Sequence, residues 1–86
     1  MADSTITVTL KLFAAYQEAV GKGEMVLTLP VASPVQVVCD RILADYPQLA
    51  TWRDRTRFGV NLTVVSPDTP LQDGDEVVLI PPVSGG

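Results

Sequence analysis

Residues 33–47, SPVQVVCDRILADYP, contain the clearest helix signal in this 86-residue chain and decide its fold class. Ser33, Pro34 and Gln36 predict a capping box with proline at the first helical position, and Pro47 predicts the helix end. Apolar side chains recur every three or four residues between them, which is the period of an amphipathic α-helix. These apolar positions are Val35, Val38, Cys39, Ile42, Leu43 and Tyr46. The apolar stripe of this helix therefore has to pack against another secondary-structure element of the fold.

The segments before this helix predict a pair of strands. Thr5–Phe13 alternates apolar residues with threonine or lysine, and Glu24–Leu29 alternates in the same way. A period of two is typical of a strand with one buried face. Ala14–Val20 between them is expected to form at most a helical turn, which ends at Gly21-Lys22-Gly23. The two segments therefore predict a hairpin with a long connection.

The segments after the helix predict further strands. Leu49–Arg57 is expected to be an irregular link, with a short helical turn around Trp52. Phe58–Ser66 is predicted as a strand, because apolar residues alternate at Val60, Leu62 and Val64. Glu76–Ile80 is almost entirely apolar, which favours a central strand. Turns are expected at 67–70 and 73–75, where Gly74 suits a positive φ.

This order of elements predicts an α+β fold of the ubiquitin-like β-grasp type, with one main helix packed on one face of a mixed sheet. A ferredoxin-like fold would need a second helix of equal length, and the sequence shows none. We expect residues 1–80 to form one domain and residues 81–86 an extended tail.

Composition narrows the possible functions. The apolar share is 47% and the charged share 19%, which argues against intrinsic disorder. Six lysine and arginine residues against ten acidic ones give a net charge of −4, which disfavours nucleic-acid binding and suits a basic protein partner. One cysteine and no histidine exclude an internal disulfide, a Cys/His zinc site and a histidine triad. No membrane span or signal peptide is evident, so we expect a cytoplasmic location.

The last six residues, PPVSGG, carry the clearest chemical signal. Pro81 and Pro82 favour polyproline II backbone, which directs the chain away from the domain. Gly85 and Gly86 have no side chains, so they fit a channel too narrow for a Cβ atom. A terminal carboxylate with a pKa of about 3.5 is ionised and can attack an activated phosphate. The tail therefore predicts a carboxylate presented inside another protein.

Three other features have simpler interpretations. The acids Asp68, Asp73, Asp75 and Glu76 do not have the spacing of a calcium loop, and Asp73 and Asp75 flank Gly74 as a tight turn favours, so we predict a turn, with contact to a basic groove of a partner as a secondary role. Cys39 lies on the apolar stripe of the helix and is predicted to pack in the core. We predict that Arg53, Arg55 and Arg57 form a solvated surface, with partner docking as the weaker alternative. If the uncovered sheet face exposes apolar residues near the tail, it is a docking surface.

Several segments together resemble the small subunit of molybdopterin synthase over essentially the whole chain. They are Leu12–Gly21, Val60-Asn61, Pro70-Leu71, DGDEV at 73–77 and PPVSGG at 81–86. The resemblance implies a ubiquitin-like sulfur carrier of molybdenum cofactor biosynthesis. In that family an activating enzyme uses ATP to adenylate the terminal glycine, and a sulfur donor then converts it to a thiocarboxylate. The tail delivers sulfur to precursor Z, the cyclic pyranopterin monophosphate, inside the large subunit.

The resemblance also assigns roles to residues of this chain. Gly86 would be adenylated and thiocarboxylated, and the segment that enters the partner would consist of Pro81, Pro82, Val83, Ser84 and Gly85. It implies no catalytic residue, metal or bound cofactor within the chain, because ATP is used by the activating partner. It also implies that the chain forms a heterotetramer with the large subunit. The family usually has arginine at the position of Gln17 and often aromatic residues at those of Leu79 and Ile80, so partner contacts there are in question.

Other functions remain open at this point. The same tail chemistry serves carriers for other pathways, such as thiazole or cysteine synthesis. A ubiquitin-like modifier would join Gly86 to lysines of target proteins. A plain binding module with an incidental Gly-Gly end is the third possibility.

Overall fold

The computed structural model describes residues 4–82, which form five strands, two α-helices and one 3₁₀ helix. In chain order these are β1 (Thr5–Leu12), α1 (Ala14–Val20), β2 (Glu24–Pro30), α2 (Gln36–Asp45), the 3₁₀ helix (Pro47–Arg55), β3 (Arg57–Val60), β4 (Thr63–Val65) and β5 (Glu76–Ile80). Within residues 4–82, no helix has the length and apolarity that crossing a bilayer requires.

The strands form one mixed sheet in the order β2-β1-β5-β3-β4. β1 is antiparallel to β2 and parallel to β5, whereas β3 is antiparallel to both β5 and β4. The sequence-based prediction that Glu76–Ile80 is the central strand is confirmed. The predicted ubiquitin-like β-grasp fold is confirmed as well.

One hydrophobic core lies between the sheet and α2. In β1 the alternation predicted from the sequence is observed, because its apolar side chains are buried and Thr5 and Thr7 are exposed. The predicted apolar stripe of α2 contributes Val38, Cys39 and Ile42 to the same core. The remaining buried apolar residues come from β1, β2, β3, β5, α1, the 3₁₀ helix and the connections: Ile6, Val8, Leu10, Leu12, Tyr16, Leu27, Leu29, Val35, Leu49, Phe58, Leu71, Val77 and Leu79.

The predicted capping box of α2 is wrong. The helix begins at Gln36, later than expected, and no side chain caps it. The Ser33 hydroxyl donates a hydrogen bond of 2.6 Å to the carbonyl of Pro30, and Pro34 pairs with Pro70 in an isolated bridge instead of opening the helix.

A turn from a distant part of the chain replaces that cap. The N–H of Val35 donates to the carbonyl of Thr69 at 2.8 Å, and the N–H of Gln36 donates to the carbonyl of Pro67 at 3.0 Å. Because these backbone carbonyls satisfy N–H groups at the helix start, a capping side chain is not needed. The end of the helix agrees with the prediction, since Tyr46 is its C-cap and Pro47 follows it.

The predicted single strand over Phe58–Ser66 is also wrong, because this segment is a hairpin. β3 ends at Val60, and Asn61 and Leu62 form the turn with φ values of +50° and +72°. Two-residue hairpin turns favour positive φ at both positions, which asparagine tolerates well and leucine does not. Leu62 is consequently 93% exposed at the tip of the hairpin.

The reversal at this turn changes which residues face the core. Val65 lies opposite Phe58 and packs against the core, whereas Val64 lies opposite Gly59 on the uncovered face and is 64% exposed. Of the three alternating residues Val60, Leu62 and Val64, only Val60 therefore packs against the core.

Two connections are more regular than the sequence indicates. The region predicted as an irregular link contains the 3₁₀ helix. Ala14–Val20 forms the full helix α1, which ends where Gly21 adopts φ +82° and donates its N–H to the carbonyl of Gln17 at 2.8 Å. Glycine suits this left-handed position because it has no Cβ atom.

Candidate functional site at the C-terminal end of the sheet

The central strand β5 leads the chain to the candidate site. Its side chains Val77 and Leu79 are fully buried in the core. At its last residues Leu79 pairs with Leu12 of β1, and Ile80 pairs with Arg57 of β3. Because β5 has a hydrogen-bonded strand on each side and a buried face, its position is tied to the whole sheet.

The beginning of β5 is fixed by the turn at residues 73–75. The Asp73 carboxylate accepts a hydrogen bond from the N–H of Thr7, and the Gly74 N–H donates back to the Thr7 carbonyl, both at 2.8 Å. The Asp75 carboxylate accepts from the N–H of Gln72 at 2.8 Å. Gly74 has φ +88°, which only glycine adopts without strain. The prediction that Asp73 and Asp75 shape a turn is confirmed.

Asn61 connects the same turn to the β3–β4 hairpin. Its side-chain N–H group donates to Asp75 at 2.9 Å, and its side-chain oxygen accepts from the N–H of Glu76 at 3.0 Å. Its own N–H donates to the Glu76 carbonyl at 2.9 Å. The start of β5 is therefore held by side chains and backbone from two neighbouring segments.

The end of β5 opens into a cleft. After Ile80 the chain continues through Pro81 and Pro82, which are half-buried and have no N–H to donate. The cleft has a volume of about 460 Å³ and is lined by Asp54, Arg55, Thr56, Arg57, Ile80, Pro81 and Pro82. One side of the cleft is therefore polar and charged, from residues 54–57. The other side is apolar and consists of Ile80, Pro81 and Pro82, where the chain leaves the sheet.

Buried hydrogen bonds support the wall of this cleft. Thr56 is buried, and its hydroxyl donates to the carbonyl of Trp52 at 2.8 Å and is bonded to the hydroxyl of Tyr16. The rings of Tyr16 and Trp52 meet edge to face with centroids 5.8 Å apart. Burial raises the pKa of the Tyr16 hydroxyl, so it stays protonated near neutral pH. These contacts fix the end of the 3₁₀ helix against α1.

The three arginines of this region differ in their partners. Arg53 binds Asp40 of α2 with an N–O distance of 2.8 Å, and this hydrogen bond holds the pKa of the Asp40 carboxyl below its usual range. Arg55 and Arg57 are exposed and line the cleft. The predicted solvated surface is therefore confirmed, because Arg53 is exposed as well, although it also forms an ion pair between two helices.

The uncovered face of the sheet exposes apolar side chains close to the cleft. Ile80 is 37% exposed beside Arg57, and Phe13, at the end of β1, is 52% exposed. Val64 lies on the same face, opposite Gly59. The condition set for a docking surface from the sequence is therefore met at this end of the sheet.

The predicted site residues fall into two groups. Pro81 and Pro82 lie at the cleft, whereas Val83, Ser84, Gly85 and Gly86 lie outside the described residues.

Among the positions where the sequence departs from the family, Leu79 is fully buried, so it contacts the core and is not available to a partner. Gln17 and Ile80 are exposed. Cys39 is buried as predicted, and burial raises the pKa of its thiol, so it lacks the features of a reactive cysteine.

Sequence reasoning missed the cleft itself. Arg57 lies beside Ile80 only because β3 and β5 pair in one register, and Thr56 lies under the cleft only because Tyr16 folds back onto it. The alternate arginines were the one signal in the sequence, and without the strand pairing they could not be placed next to the tail.

The chain has a five-stranded mixed sheet with one main helix packed on it, and its last strand lies in the centre of the sheet. This arrangement defines a ubiquitin-like β-grasp protein. A family model described as the ThiS family matches residues 10–86. The chain is 31% identical over 87 residues to the molybdopterin synthase sulfur carrier subunit of Arabidopsis thaliana, which covers 99% of this chain and 91% of that protein. The chain therefore belongs to the ThiS family and, within it, to the family of molybdopterin synthase sulfur carrier subunits.

Solved structures of molybdopterin-converting factors and of a small archaeal modifier share this fold. A putative molybdopterin converting factor subunit 1 from Pyrococcus furiosus superposes with a TM-score of 0.78 at 27% identity, over 91% of this chain and 99% of that chain. The small archaeal modifier protein 1 of Methanosarcina acetivorans gives 0.75 at 27% identity, over 95% and 98%. A complex of subunits 1 and 2 of the molybdopterin-converting factor from Helicobacter pylori gives 0.61 at 24% identity, over 94% and 100%, which is a likeness of fold.

Proposed function

We propose that this chain is the sulfur carrier subunit of a molybdopterin synthase, and that Gly86 carries the sulfur as a thiocarboxylate. One structural observation supports the proposal most strongly: the anchored central strand β5 runs directly into Pro81 and Pro82 at an open cleft. Four more residues follow Pro82 in the sequence, and if fully extended they span about 13 Å. That length suits delivery of a terminal group into another protein.

The proposed chemistry needs two steps before sulfur is delivered. A carboxylate oxygen of Gly86 attacks the α-phosphorus of ATP, and pyrophosphate leaves. Hydrosulfide (HS⁻) released by the sulfur donor then attacks the acyl carbon, AMP leaves, and loss of the proton on sulfur leaves the terminus as a thiocarboxylate. The carboxylate is a poor acyl donor on its own because its leaving group would be oxide, and adenylation supplies a better one. ATP is used by a separate activating enzyme in this proposal.

The residues of this chain contribute position and clearance. Pro81 and Pro82 favour an extended backbone that directs the tail away from the sheet. Gly85 and Gly86 allow the tail to pass through a channel without steric conflict. In the final step the thiocarboxylate delivers its sulfur to cyclic pyranopterin monophosphate in the active site of the large subunit. We place this reaction in the cytoplasm, and we expect the complex to be a heterotetramer.

The mass of the intact chain tests the activation steps. The chain is incubated with ATP, an activating enzyme and a sulfur source, and its mass is compared with that of a chain lacking Gly86. We expect only the full chain, and not the chain lacking Gly86, to gain the mass difference between one sulfur and one oxygen atom. Tandem mass spectrometry should locate this added mass at Gly86. An unchanged mass in both chains under conditions that load a known carrier would contradict the proposal.

A protein modifier is the second candidate, because the small archaeal modifier protein 1 has the same fold at similar identity. Adenylation of Gly86 would be shared, but the acyl group would then pass to a lysine amine and form a stable amide. The same incubation in a cell extract separates the two functions. Amide-linked adducts on other proteins would support the modifier, and their absence together with thiocarboxylate formation would support the carrier.

A further inference from the structure

Arg55 and Arg57 line the cleft where the chain leaves β5, and neither has a role in the proposed sulfur chemistry. Lys11 pairs with Glu24 at 2.8 Å, and Arg53 pairs with Asp40 at 2.8 Å. Arg55 and Arg57, in contrast, have no carboxylate within 4.0 Å among residues 4–82. Both are exposed in a chain whose net charge is −4. The acidic chain thus has uncompensated positive charge at the place where the tail leaves it.

We propose that Arg55 and Arg57 bind carboxylate side chains on the large subunit, at the rim of the channel that receives the tail. This inference rests on the proposed function, because it names the chemistry of the partner surface at the same site. An arginine guanidinium binds a carboxylate through two parallel hydrogen bonds, which fixes orientation as well as supplying energy. The pair of arginines would set the rotation of the carrier about its inserted tail.

The surroundings of the two arginines favour a protein surface over a phosphate ligand. The hydroxyl of Thr56 is already bonded to Trp52 and Tyr16, so it does not face a ligand in the cleft. The other lining residues, Ile80, Pro81 and Pro82, are apolar. Arginine beside apolar surface is the composition that dominates binding energy at protein interfaces.

The geometry also separates these arginines from the reacting group. If the four residues after Pro82 extend fully inside the partner, they span about 13 Å, which is beyond the reach of side chains that flank the cleft. Arg55 and Arg57 therefore contact the outside of the channel and have no contact with the thiocarboxylate or the pterin. Their effect should appear in binding of the large subunit, mainly in its rate of association, because complementary charge accelerates the encounter of two proteins.

The test uses three charge reversals that change the net charge equally. Arg55→Glu and Arg57→Glu remove the proposed contacts, whereas Arg41→Glu is the matched control. Arg41 is exposed on α2 and donates to the carbonyl of Thr28 on β2, and two strands, β1 and β5, separate β2 from β3 in the sheet. Circular dichroism and melting temperature check that each variant is folded. Binding to the large subunit is measured by surface plasmon resonance at two salt concentrations.

We expect Arg55→Glu and Arg57→Glu each to weaken binding by about tenfold or more, with most of the loss in the association rate and a weaker dependence on salt. Arg41→Glu should stay within about twofold of the unchanged chain. Equal effects of all three reversals, or no effect of any, would overturn the inference while the proposed function stands. Failure of the unchanged chain to bind the large subunit would overturn both.

Discussion

The two ends of β5 are built in opposite ways. At its beginning, the carboxylates of Asp73 and Asp75 accept hydrogen bonds from backbone N–H groups. Both the side chain and the backbone of Asn61 form hydrogen bonds with the backbone of Glu76. At its end, two prolines that cannot donate hydrogen bonds lead past an open cleft. The same strand is therefore fixed at one end and left without backbone donors at the other.

This difference suits the proposed function, in which a small domain presents a reactive terminus to a partner. A terminal group is delivered accurately only if the segment that carries it starts from a rigid base. The buried side chains of Val77 and Leu79 and the pairing with β1 and β3 supply that base. Changes at the two ends should consequently have different effects: loss of sulfur transfer at one end and loss of stability at the other.

The largest effect should come from Gly85→Ala at the tail. An added methyl group would obstruct a channel that fits only glycine, and a small misplacement of the reacting atom costs about a hundredfold in rate. We expect sulfur transfer in a reconstituted synthase assay to fall by about that factor, with the melting temperature unchanged. Ser84→Ala is the control, since it adds no atoms. Equal transfer by Gly85→Ala and the unchanged chain would argue against a narrow channel.

The second largest effect should be a loss of stability from a change in the turn at residues 73–75, which fixes the beginning of β5. Asp75→Ala removes the acceptors for the Gln72 N–H and for the Asn61 side chain, which should lower the free energy of unfolding by about 1–3 kcal/mol. Asp68→Ala is the control, because the Asp68 carboxylate accepts from the hydroxyl of Ser66, two residues away, whereas Asp75 accepts from a backbone N–H and from the distant Asn61. Urea denaturation measures both variants. If Asp68→Ala cost as much as Asp75→Ala, the turn at 73–75 would not be a special anchor.

The smallest effect should be a stabilisation at the hairpin that meets this anchor. Leu62→Gly relieves a left-handed backbone at φ +72° and removes an exposed side chain, so it should raise the free energy of unfolding by about 0.5–1 kcal/mol. Val64→Gly provides the contrast, because Val64 is also exposed but lies within β4, where glycine destabilises. Thermal unfolding of the two variants should shift in opposite directions, and a shared direction would contradict this explanation.

Much of the fold could be predicted because it depends on local pattern. The alternation of β1, the apolar stripe of α2 and the apolar run of β5 each follow from residues close together in the chain. The start of α2 could not be predicted, since its N–H groups are satisfied by carbonyls of Pro67 and Thr69, which only the tertiary fold brings near. The hairpin at Asn61-Leu62 was missed because leucine is an unusual residue for a turn with positive φ.

The candidate site divides in the same way. The motif PPVSGG is visible in the sequence, and the chemistry that the family resemblance implies for it stays a prediction. The cleft could not be predicted, because it depends on the pairing of Arg57 with Ile80 and on the packing of Tyr16 against Thr56. The orientation of Leu79 is a similar case, since only the sheet register shows that it faces the core.

Reconstituted sulfur transfer tests the central claim most directly. The thiocarboxylated chain is mixed with the large subunit and cyclic pyranopterin monophosphate, and the mass of the chain and the pterin product are followed together. We predict that the mass of the chain returns to that of the unmodified carboxylate as the dithiolene product forms. Retention of the thiocarboxylate with no sulfur in the pterin, under conditions in which the two proteins bind, would contradict this account.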